Sequence, residues 1–134
     1  MYFLDTNILI YAFDPRDPQK RDIARGLIHP DRDWCISWQV VQEFLNHATH
    51  RAKPALEPHF LDTLLELCLL PKCRVFPTSE IFLKSLKIHQ QTQYRIYDSL
   101  IVASALASKA PILYSEDLQD GRKIENLTIQ NPFN

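Results

Sequence analysis

Four carboxylates in this sequence stand where a carboxylate needs a reason. Asp5 closes the apolar run Tyr2-Phe3-Leu4, is followed by Thr6 and Asn7, and precedes a second apolar run that begins at Ile8. Burying an ionised carboxylate at such a seam is costly unless a cation or hydrogen-bond donors meet it. Asp98 lies in the first turn of an Ala-rich segment, YDSLIVASALASK, on a stripe with Ile101, Val102 and Ala105 that points it inward. Ser115, Glu116, Asp117 and Asp120 follow the apolar triplet Ile112-Leu113-Tyr114. Glu43 sits in WQVVQEFLNHATH, on the polar side of a helical period, with Gln39, Asn46 and His47 around it.

Each acid also has a simpler use. Asp5 suits a helix N-cap, Asp98 a helix-dipole partner or an ion pair with Arg95, and Glu43 a solvated surface. Asp120 with Gly121 is a strong turn signal. Gathered in one crevice, however, such acids repel each other unless a divalent cation joins them. An all-oxygen set suits Mg2+ or Mn2+. Zinc is a poorer match, because His29, His47, His50, His59 and His89 form no ligand constellation and His47-x-x-His50 reads as a surface pair on a helix. There is no Gly-rich phosphate loop, so nucleotide-triphosphate chemistry has no support.

The elements that must position these residues alternate. Short continuous apolar runs at residues 2–5, 34–36, 73–76, 112–114 and 127–129 read as strands. Between them the sequence predicts helices from Pro18 to about Ile28 behind an Asp17 cap, from Trp38 to about His50 behind Ser37, and from about Pro54 to Leu70. Two more are predicted, from Thr78 or Ser79 to about Gln91 and over residues 97–109. Continuous apolar strands alternating with helices mean a mainly parallel sheet covered on both faces, with ligands beyond the carboxyl ends of its strands. On this reading the acids follow three strand-end positions, and Glu43 adds one from a neighbouring helix.

Bulk properties set the frame. At 134 residues the chain is one domain, and its 46% hydrophobic content fits a globular protein. A net charge of −1 gives no global basic field for nucleic acid, which leaves RNA to be held through a metal and a local patch. Cys35, Cys68 and Cys73 are odd in number and lack a CxxC pair, and read as reduced, mostly buried thiols. The first apolar run meets Asp5 at once and LDTLLELCLLP is too short and charged to span a bilayer, so the expectation is a soluble, cytoplasmic protein with no membrane partner.

Leu-Asp5-Thr6-Asn7-Ile-Leu-Ile, then Val-Val-Gln-Glu43-Phe, then Tyr-Asp98-Ser-Leu-Ile-Val-Ala-Ser-Ala, then Tyr-Ser115-Glu-Asp117-Leu together resemble a PIN domain, in the right order and over nearly the whole chain, 1–134. The match is close to the single-domain VapC-type toxins. The resemblance implies a parallel sheet between helices and an acidic pocket of Asp5, Glu43, Asp98 and Asp117 that holds Mg2+ or Mn2+, with Thr6 and Ser115 as supporting hydroxyls. It implies hydrolysis of RNA phosphodiester bonds by an endoribonuclease, a cognate antitoxin protein as partner, and a homodimer. The family commonly carries Thr where Ser115 stands, and either hydroxyl serves. Asp120 is an extra acid, either beside the pocket or in a turn. Arg16, Lys20, Arg21, Arg51, Lys53, Arg95, Arg122 and Lys123 could meet phosphates at the rim, and Trp38 or Tyr97 could stack on a base, though packing is the simpler role for both aromatics. Two alternatives stand beside this reading. One is a non-catalytic PIN-like module that binds RNA or protein. The other, an aspartyl-phosphate phosphotransferase, needs a second acid where Asn7 stands.

Overall fold

A computed structural model describes residues 1–134. Its strands are β1 (Tyr2–Leu4), β2 (Trp34–Ser37), β3 (Cys73–Val75), β4 (Ile112–Tyr114), β5 (Lys123–Ile124) and β6 (Leu127–Gln130). They form one sheet in the order β3-β2-β1-β4-β6-β5. Phe3 of β1 lies opposite Cys35 of β2 on one side and Leu113 of β4 on the other, in parallel register. All pairings are parallel except that of β5 with β6. Phe3, Leu4, Cys35, Ile36, Leu113 and Ile129 are fully buried, which is why these strands are continuous apolar runs rather than alternating ones.

The helices are α1 (Thr6–Ala12), α2 (Pro18–Leu27), α3 (Trp38–Asn46), α4 (Pro58–Leu64), α5 (Leu70–Lys72), α6 (Ser79–Thr92) and α7 (Ile96–Ser108). Two π-helical turns, His47–Arg51 and Leu65–Leu69, prolong α3 and α4. Side chains set several starts. Asp17 accepts from the Lys20 N–H with Pro18 in the first turn, Ser37 from the Val40 N–H, and Thr78 from the Ile81 N–H. Helix α7 is apolar nearly all round because residues Ser99 to Ala105 are buried under α6 and against the sheet.

Several expectations need correction. The helix expected from Pro54 starts at Pro58, because the Glu57 carboxylate caps it by accepting from the His59 and Phe60 N–H groups. The segment after Asp5 is a helix, α1, in keeping with the N-cap use of Asp5. The two-residue β5 is an additional strand that borrows its pairing from β6. Cys35 is buried, but Cys68 and Cys73 are only half-buried; all three are free thiols. No helix is long and apolar enough to cross a membrane.

Connectivity decides where a ligand can sit. From β1 the chain crosses to β2 and then β3 on one side, and then returns past β1 to β4 on the other. The order therefore reverses between β1 and β4, and the carboxyl ends of those two strands open a crevice.

Candidate active site

Asp5 and Ser115 stand at the carboxyl ends of β1 and β4, the two strands that flank the reversal. The Asp5 N–H donates to the Tyr114 carbonyl (3.0 Å), so the two strands stay paired up to the point where their side chains diverge into the crevice. Asp5 is 6% exposed. Its Oδ1 accepts from the Thr6 N–H (2.7 Å), which starts α1, and its Oδ2 accepts from the Ser115 hydroxyl (2.7 Å). The N-cap use and the site position are therefore one arrangement.

Asn7 ties the floor together. Its Nδ2 lies 3.3 Å from Asp5 Oδ2, 3.3 Å from Ser115 Oγ and 3.2 Å from Asp117 Oδ2. Its Oδ1 accepts from the Glu116 N–H (3.2 Å). Ser115 Oγ also accepts from the Asp117 N–H (3.2 Å), fixing the loop after β4. Across the crevice, the Thr6 hydroxyl donates to Glu43 Oε1 (2.6 Å). Glu43 is solvent-exposed, as its helical period indicates, and still faces the site, because the polar side of α3 forms one wall.

Asp5, Glu43, Asp98 and Asp117 line this one crevice together with Thr6, Asn7, Asn46, His47 and Arg51. Two of the acids follow strands. Glu43 and Asp98 come from α3 and α7, and α7 follows α6 rather than a strand, which corrects the expectation of three strand-end acids. Asp98 is half-buried and makes no ion pair with Arg95 within 4 Å. Asp120 does not line the crevice; its carboxylate accepts from the Asn131 N–H and the Asn134 side-chain amide, a turn-and-tail role. His47 is half-buried against the crevice rather than one of a surface pair, and His50 bonds Thr49 instead. Tyr97 is 68% exposed and so is not a packing residue. The wall residues Asn46 and His47 carried a signal in the sequence, since they lie three and four positions after Glu43 on the same helical side.

Charge is crowded here. Burial pushes the Asp5 carboxyl up to about 7; bonds from Ser115 and Thr6 pull it down, and Glu43 and Asp117 push it further up. Asp98 is also raised, by burial first and then by Asp117, with Arg95 opposing. Burial, and then the charge of Arg51, lowers His47.

These features fit a hard divalent cation: an all-carboxylate donor set, and a buried carboxylate whose partners are hydroxyl and amide donors instead of a cation. No group of three or more Asp, Glu, His or Cys side chains is placed to hold one ion.

The mainly parallel α/β sheet, with an acidic crevice at the point where its strand order reverses, defines the class of fold. The sequence matches the PIN domain family over residues 2–122, and the chain belongs to that family. No curated protein matches it in sequence. Among solved structures, a toxin–antitoxin complex from Klebsiella pneumoniae is similar over 98% of this chain and 98% of its own, with a TM-score of 0.69 and 20% identity. VapBC-1 from nontypeable Haemophilus influenzae is similar over 99% and 98%, with a TM-score of 0.65 and 23% identity. VapC20 from Mycobacterium tuberculosis, a sarcin-ricin loop cleaving toxin, is similar over 87% and 90%, with a TM-score of 0.61 and 17% identity. At these identities the likeness is one of fold.

Proposed function

We propose that this chain, a single PIN domain over residues 1–134, is a Mg2+- or Mn2+-dependent endoribonuclease and the cytoplasmic toxin of a type II toxin–antitoxin pair. One observation carries the reading: Asp5, Glu43, Asp98 and Asp117, from four separate elements, line one crevice at the sheet's reversal point. Membership of the PIN family supports the nuclease class, and likeness in fold to toxin–antitoxin structures supports the toxin role.

A divalent ion held by these carboxylates supplies Lewis-acid polarisation of the scissile phosphate and a water of lowered pKa. The chain's own residues do the rest. Thr6 fixes the Glu43 carboxylate, and Ser115 and Asn7 fix Asp5 and Asp117, so these three acids are held in one geometry. Asp98 or Asp117 takes the proton of the attacking water.

An antitoxin is the expected protein partner. The groove between α1, α2 and the segment before α4, lined by Phe13, Pro15, Arg21, Arg25, Pro54 and Leu56, supports docking of an amphipathic helix. The exposed Phe82, Leu83 and Leu86 of α6 support a homodimer.

The absence of three ligands converging on one ion favours a second reading, a PIN module that binds RNA or protein without cutting. Incubation of the purified chain with total cellular RNA, in Mg2+ or Mn2+ and in EDTA, separates the two. Cleavage that needs the metal is expected. RNA that stays intact with both metals leaves the binding module. Co-expression with the adjacent reading frame tests the toxin role: the expected result is a complex and rescue of growth. A chain that cuts RNA but is harmless and finds no partner there keeps the nuclease and loses the toxin.

A further inference from the structure

We infer that Arg51 grips a phosphate of the RNA strand beside the carboxylates, giving an otherwise repulsive crevice its own anchor for a polyanion. The inference rests on the nuclease reading above and names the residue that holds its substrate.

Four carboxylates lining one opening repel RNA as it approaches, and a net charge of −1 gives no compensating field. Some local cation must hold the strand. Arg95 is near enough to Asp98 to lower it but does not line the crevice, and the basic side chains of the α1–α2 side are already engaged. Arg16 pairs with Asp14 through bonds of 3.0 and 2.9 Å, Lys20 pairs with Glu116, and Arg21 pairs with Asp22. Arg25 donates from Nε to the Ala12 carbonyl (2.8 Å).

Arg51 is different. It is exposed and lines the crevice with all four acids, and no other Lys or Arg does. Its guanidinium donates no hydrogen bond and has no carboxylate within 4 Å, so it is not a fixed counterion of the acids it faces. Its backbone is set by the π-helical turn His47–Arg51, which extends the wall carrying Glu43 and His47 along the same side of the crevice. The turn closes with the Ala52 N–H donating to the His47 carbonyl (2.9 Å), and Arg51 lines the crevice while staying exposed. A free guanidinium there presents a planar fork that matches two phosphate oxygens, which a lysine ammonium does not.

The test compares wild type with Arg51→Ala, Arg51→Lys and, as a control for lost charge, Lys109→Gln at the exposed end of α7. Steady-state cleavage in Mn2+ uses an RNA that wild type cuts. Binding of labelled transfer RNA in EDTA is followed by fluorescence anisotropy, and melting of the metal-free proteins is recorded. Arg51→Ala should raise KM and the metal-free Kd roughly tenfold, with kcat within about twofold, and should flatten the slope of log affinity against log salt by about 0.7 to 0.9. Arg51→Lys should recover part of the loss, and Lys109→Gln and the melting temperatures should match wild type. Unchanged KM and Kd in Arg51→Ala overturn the inference and leave the nuclease reading standing. So does a fall in kcat with KM unchanged. Destabilisation of the metal-free Arg51→Ala without loss of RNA affinity makes Arg51 a counterion, and also overturns it. If wild type cuts no RNA with metal present, the nuclease reading fails first and the inference falls with it.

Discussion

The Thr6 hydroxyl donates a 2.6 Å hydrogen bond to Glu43 Oε1, joining the first turn of α1 to the polar side of α3. This bond turns an exposed glutamate into a wall of the crevice. Thr6→Val keeps the shape and removes the donor. Glu43 can then be hydrated, so stability should fall by only about 1 kcal/mol. RNA cleavage should fall by roughly tenfold or more, because one acid loses its fixed position. Thr6→Ser should retain most activity. Urea unfolding beside a cleavage assay checks both, and a Thr6→Val protein with full activity would show that Glu43 needs no such support.

Asn7 is the second fastening. Its amide reaches Asp5, Ser115 and Asp117, and its carbonyl holds the Glu116 N–H. Asn7→Ala should cost on the order of 1 to 2 kcal/mol and loosen the loop after β4. Hydrogen exchange at the Glu116 and Asp117 amides should accelerate relative to the β1 amides. Unchanged exchange would mean that Ser115 alone fixes the loop.

The Asp5 carboxyl gives the metal-free protein a pH dependence of definite sign. Its ordinary value is 3.8 and burial holds it at about 7 in the fold. Between those values the folded state binds the proton more tightly than the unfolded state, so stability is lost as pH rises through that window. The loss attributable to Asp5 should be on the order of 4 kcal/mol by pH 8. His47, lowered by burial, contributes in the opposite direction, so the comparison that isolates Asp5 is wild type against Asp5→Asn. In EDTA, Asp5→Asn should be less stable than or equal to wild type near pH 4 and more stable near pH 8. Denaturant titrations across this range check it; parallel curves for the two proteins would remove the buried, uncompensated carboxylate.

The parts of the fold that were legible in the sequence are those decided locally. Asp17-Pro18, Ser37 and Thr78 announced helix starts through short-range capping chemistry, and the bonds are present. β1 was visible because a strand buried on both faces leaves an unbroken apolar run, and β4 because half-buried Ile112 and Tyr114 flank the buried Leu113 in one apolar triplet. What depends on a choice between competing local signals, or on distant partners, was less visible. Asp5 was read as suiting an N-cap, and it does cap α1, but the apolar run Ile8-Leu9-Ile10 does not by itself show where that helix lies. The choice of Pro58 over Pro54 rested on Glu57. β5 exists only because β6 pairs with it. For the candidate site, local pattern placed Asp5 at a strand end and made Glu43 a surface residue. That the polar side of α3 closes over the end of β1 is a matter of packing between elements, which periodicity does not carry. His47 and Tyr97 were misjudged for the same reason: one faces the crevice and the other faces solvent.

Asp98→Asn tests most directly whether the four acids act as one metal site. Asp98 is half-buried, raised by burial and by Asp117, and lacks an ion pair with Arg95. The measurement is calorimetric titration of Mn2+ into wild type and variant, with thermal unfolding in EDTA and RNA cleavage on the same preparations. Removing one charge from a crowded pocket relieves repulsion, so the metal-free variant should melt at the wild-type temperature or slightly above, an effect on the order of 1 kcal/mol. Mn2+ should bind the variant at least roughly tenfold more weakly and add little stability, whereas it should stabilise wild type by mass action. Cleavage should fall close to background. A variant that binds Mn2+ as wild type does, is destabilised by roughly 3 kcal/mol in EDTA as a broken buried ion pair would be, and still cuts RNA in proportion to its folded fraction would contradict the account.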